Sequence, residues 1–153
     1  MLYESLLEEA SEQRLNVYER TMSKRIKGLY GDNVIWINKR ISTNAERYCV
    51  LAEEIGHHYT SFGDITNQED IRNRKQELRA RSWAFGHTVP LAKIVQAHKY
   101  GVRNKYELAD FVGVTEEFLA SSINRYQDKY GQTVNHEGYT ICFEPLGVVE
   151  WFE

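Results

Sequence analysis

The chain has 153 residues, 42% hydrophobic and 27% charged, with a formal net charge of -3. That is room for one domain with a real core, of ordinary globular composition. The acidic balance argues against a general nucleic-acid or membrane-surface role, which would need a basic surplus, although a local basic patch stays possible. No apolar run approaches the roughly 20 residues that span a bilayer. Without a signal peptide, Cys49 and Cys142 read as reduced buried thiols of a cytoplasmic protein.

Residues 2–22 place Leu6, Leu7, Ala10, Leu15, Val17 and Tyr18 at helical intervals, which predicts one or two helices with a break near Asn16. Residues 28–33 (GLYGDN) signal a turn, since Gly31, Asp32 and Asn33 tolerate positive φ. Residues 34–38 (VIWIN) are short, apolar and β-branched, and predict a strand. Ser42 or Thr43 can then cap a helix, Glu46 standing at capping-box distance from Thr43. That helix is expected to stop near Gly63, with a loop over residues 64–67. A strongly charged helix is expected over 68–85, with Ala80, Trp83 and Ala84 on its apolar face and Gly86 and Pro90 ending it. Further helices are expected over 91–100, 105–112 and 116–130, with Gly113 as a turn and Thr115 as a cap. The tail offers one strand over 139–144 and a second over 148–152, separated by Pro145 and Gly147.

Within the helix after Thr43, the run VLAEEIGHHYT (residues 50–60) differs by one letter from the zinc-hydrolase helix H-E-x-x-H. Glu53 and His57 are four apart and share a helix face, so both can point at one metal ion. Glu54 is rotated from Glu53 by about 100°. There it would lie beside an attacking water as general base. Gly56 leaves room for a close neighbour. The same spacing also occurs on solvated helix faces. Here, though, the apolar remainder of the helix leaves little of it exposed, and buried carboxylates need a partner, either a metal or arginines. A third ligand is open to Glu77, because Ala80 on the same face of the next helix permits close approach; Glu77 is otherwise one more charge on a charged helix. His58 points about 100° away from His57 and is a lesser candidate for a ligand or a substrate contact, and His87 is a candidate for binding substrate or an oxyanion. His98 and His136 read as surface or structural residues.

On these residues the sequence resembles the ImmA/IrrE-type metallopeptidases of phages, mobile elements and their hosts. The family pattern L-A-H-E-h-G-H corresponds to LAEEIGH, and E-x-x-A-x-x-F-A followed by h-x-P corresponds to Glu77, Ala80, Trp83, Ala84 and Pro90. The resemblance extends over about residues 26–130, taking in the turn-strand lead-in and the downstream helices. It implies an α+β, mainly helical, zincin-like domain over residues 1–153 with a small sheet from residues 34–38 and the C-terminal hairpin. Within it, residues 26–90 would form the metal-site core, 91–130 a helix-turn-helix-like segment and 131–153 the hairpin. It implies His57 and Glu77 as metal ligands with Glu53 in the place of the missing histidine, and Glu54 as catalytic base. The implied cofactor is Zn2+, with Mn2+ or Fe2+ open because two carboxylates make a harder, more negative ligand set. The implied activity is metal-dependent endoproteolysis of a helix-turn-helix repressor.

Two other readings compete. Residues 107–123 themselves resemble a helix-turn-helix, but Glu116 and Glu117 open the second helix where phosphate contact needs cations, so direct nucleic-acid binding is not expected. The other is a non-catalytic relative that binds a repressor or toxin without cutting it.

Overall fold

The computed structural model describes residues 2–60 and 71–151, with side chains of 71–73 excepted. It is α+β and mainly helical. Two compact units divide within one helix, Met1–Ala84 and Phe85–Glu153.

In the first unit, α1 (Leu2–Glu12) ends where Arg14 takes a φ of 62°, and the chain continues as β1 (Asn16–Arg20). Residues 16–20 are therefore a strand, and the expected second helical stretch is corrected. Val17 and Tyr18 fit either period locally, but the parallel pairing of β1 with β3 (Val34–Asn38) decides for a strand. The predicted turn at 28–33 is likewise narrower. Residues Gly28–Gly31 form β2, antiparallel to β3, and only Asp32 and Asn33 turn, at φ 49° and 63°. The sheet order is β1-β3-β2, which puts β1 and β2 at its edges. Its inner side buries Ile35 and Ile37 completely. Tyr3 on α1 donates its hydroxyl hydrogen to Glu19 on β1 at 2.6 Å.

The inner side of this sheet faces α2 (Asn44–Thr60). Thr43 caps α2, its hydroxyl accepting the Glu46 N–H at 3.2 Å, and Lys27 pairs with Glu46 at 2.7 Å. Leu51, Ala52 and Ile55 form its buried stripe. Its expected continuation toward Gly63 and the loop at 64–67 lie outside the described residues. The next helix, α3, runs Ile71–Thr88, passing through Gly86 and stopping before Pro90. Its expected start at Gln68 is also outside the described residues.

In the second unit, α4 (Leu91–Lys99), α5 (Lys105–Val112) and α6 (Glu116–Tyr130) follow the expected order. Asn104 and Thr115 cap α5 and α6, and Gly113 ends α5 at φ 78°. Leu108, Ala109, Val114 and Leu119 are all buried. The expected C-terminal hairpin is a three-stranded antiparallel meander, β4 (Thr133–His136), β5 (Tyr139–Phe143) and β6 (Leu146–Glu150). It forms a sheet of its own, separate from β3, with Gly147 inside β6. Tyr126 on α6 donates to the Val89 carbonyl at 2.8 Å and stacks on Phe143.

Candidate metal centre

Every side chain of the centre comes from α2, α3 or β2 of the first unit. The spacing of Glu53 and His57 on α2 puts them on one face. Their neighbour is set by Gly56. A Cβ there would collide with the Ala80 carbonyl, so the α3 backbone occupies the room the glycine leaves. Ala80 is itself fully buried. Two small residues thus bring the helix backbones together and deliver Glu77, three residues before Ala80, to His57. His57 Nε2 and Glu77 Oε2 stand 3.0 Å apart, and the imidazole is nearly buried.

Glu54 lies under the edge strand. A Cβ on Gly28 of β2 would approach Val50 Cγ1 at 2.7 Å and the Glu54 Cγ at 3.1 Å, so β2 lies directly over this carboxylate. Burial pushes the Glu54 pKa up to about 7; His57 opposes this, while Glu53 and Glu77 add to it. Glu53 is raised too, by burial first, with Arg81 pulling it back. Glu77 is held below the usual carboxylate range, first by its hydrogen bond with His57. Burial alone would lower His57, but the bond to Glu77 and the surrounding carboxylates raise it overall. Three carboxylates therefore share one imidazole and one guanidinium, with Lys27 acting on Glu53 as well.

The donor chemistry fits a divalent cation. The His57–Glu77 separation of 3.0 Å is close to the roughly 3.3 Å between two ligands of a tetrahedral ion with bonds of about 2.0–2.1 Å. Glu53 is turned instead toward Arg81, with Oε1 3.8 Å from Nε. Among the described residues, no group of three His, Cys, Asp or Glu side chains is gathered to hold an ion as it stands. Of the expected trio, His57 and Glu77 thus face each other at hydrogen-bond distance and Glu53 faces a cation on α3.

The remaining candidates separate. His58 turns from the centre to Tyr30 of β2, with Nδ1 and the hydroxyl 2.8 Å apart. Tyr59 continues an aromatic row to Trp83 on α3. His87 is exposed near the end of α3 and belongs to the second unit. Sequence reasoning missed Arg81, although its place four residues after Glu77 marks a helical ion pair. It also missed Gly28, read as part of a turn, where a glycine inside a strand would have signalled a close approach.

A family profile described as Peptidase_M78, IrrE N-terminal-like domain, matches residues 8–124. Comparison with curated proteins gives no match. Among the described residues no helix is long and apolar enough to cross a membrane.

Proposed function

Since the chain belongs to the M78 peptidase family with its IrrE N-terminal-like domain, we propose that it is a metal-dependent endopeptidase with Glu54 as general base, acting on a helix-turn-helix repressor. The observation that carries this reading is Glu54, held under the edge strand with a pKa of about 7 beside the His57–Glu77 pair. A buried carboxylate in that place takes a proton from an attacking water and returns it to a leaving amine. His57, Glu77 and Glu53 would hold the ion, Zn2+ first and Mn2+ or Fe2+ next given two carboxylates. When bound, the ion supplies Lewis-acid polarisation of the scissile carbonyl and acidifies water. Among the described residues β2 is an edge strand, and its position beside Glu54 would let it offer backbone N–H and C=O groups to an extended substrate segment.

The test has two parts. Protein purified without chelators is expected to carry about one equivalent of metal, lost in His57→Ala and Glu77→Ala. Glu54→Gln is expected to keep the metal and lose cleavage of a helix-turn-helix repressor substrate, read by intact mass; cleavage at the wild-type rate would remove Glu54 from the role. The engagement of Glu53 with Arg81 favours a second reading, a relative that binds its partner without cutting. A metal-free wild type that still captures the repressor would select it.

A further inference from the structure

Resting on the metal-centre reading, we infer that Arg81 is a place-holder for the ion: in the metal-free protein its guanidinium holds Glu53, and metal binding takes Glu53 from it. The placement is fixed by the fold. Gly56 against Ala80 sets the register of α3 on α2, so the residue after Ala80 falls beside Glu53, one turn before Gly56. Arg81 is also four residues after Glu77 and acts on both carboxylates. Glu53, Glu54 and Glu77 crowd one imidazole, and like charges at such range oppose folding unless a cation lies among them. Arginine is charged at every relevant pH, so it serves whether or not His57 is protonated.

The contact is also made to be given up. At 3.8 Å it is an ion pair without hydrogen-bond geometry, and the Arg81 side chain is 49% exposed. Such pairs are weak and exchange readily with solvent. A guanidinium and a divalent ion repel each other, so closure of the ion on Glu53 weakens its contact with Arg81. By linkage, whatever Arg81 adds to the metal-free protein it subtracts from metal affinity.

The test uses the full chain as wild type, Arg81→Gln, Arg81→Met and Arg81→Lys. Zinc affinity is read by competition with a chromophoric chelator, and melting in excess EDTA. Arg81→Gln and Arg81→Met are expected to bind zinc roughly two- to fivefold more tightly. Both should melt earlier than wild type in EDTA, while Arg81→Lys stays near wild type. On a Glu53→Gln background, Arg81→Gln should lower the EDTA melting point by less, since only its action on Glu77 remains. Unchanged or weaker zinc binding in both charge-removing variants overturns the inference and leaves the metal centre intact. Failure of wild type and every variant to bind zinc removes the metal centre and the inference together.

Discussion

Glu54 and Asn38 show how one side chain acquires a role from its surroundings. Glu54 has the composition of any surface glutamate. Its pKa moves only because β2 and its own helix take water away, and because the nearest charges include two more carboxylates. Asn38 is the other case. It is buried at the end of β3, and its amide donates to the Met22, Ser23 and Ile26 carbonyls at 3.3, 2.9 and 2.7 Å. Its side-chain oxygen accepts from the Met22 and Arg40 N–H groups. One residue thereby shapes the segment leading into β2, and through β2 the cover over Glu54. Asn38→Ala is expected to cost about 2–3 kcal/mol, since several backbone groups lose a buried partner. Chemical denaturation measures this; a change under 0.5 kcal/mol would show that water replaces the amide.

Among elements, the contact of α2 with α3 decides the most. Gly56→Ala places a methyl group against the Ala80 carbonyl, which has no flexible end to yield. The helices must part, at a cost of about 1–3 kcal/mol by the usual scale of overpacking. The His57–Glu77 distance should grow with them. Lower thermal stability with weakened zinc binding is the expected pair of results; stability lost with zinc affinity unchanged would place the two donors outside the control of this contact. The face of α2 was legible in sequence because four-residue spacing is a property of the helix itself. So were the caps at Thr43 and Thr115 and the order of α4, α5 and α6. Strand β1 was not, because Leu15, Val17 and Tyr18 satisfy helical spacing as well, and the break is a single left-handed residue, Arg14. Strand β2 looked like a turn because of its glycines, and β4 is four largely polar residues. The role of Arg81 depends on the register of one helix against another, which no local pattern encodes.

For the whole molecule, the crowded carboxylates set the pH dependence of the metal-free protein. Glu54 has a folded pKa of about 7 against an ordinary 4.5, so the folded state holds a proton that the unfolded chain releases. Stability present below pH 4.5 is then lost as pH rises through 7, by up to about 3 kcal/mol for this group alone. Glu53 and His57, both raised, act in the same direction. Glu77, lowered, acts oppositely, but its contribution is lost only as pH falls below the ordinary carboxylate range. In EDTA the urea midpoint should therefore be higher at pH 5.5 than at pH 8, and Glu54→Gln should flatten the difference. A wild-type midpoint higher at pH 8 would contradict these charge assignments. The glycine at position 56 has a further meaning here. Where His57 and Glu77 meet depends on the missing side chain at position 56, whose room the Ala80 carbonyl takes, whereas Glu53 is held by a side-chain contact to the half-exposed Arg81. The pairing of His57 with Glu77 is therefore expected to survive substitution at Glu53 and to fail when the clearance between the two helices changes.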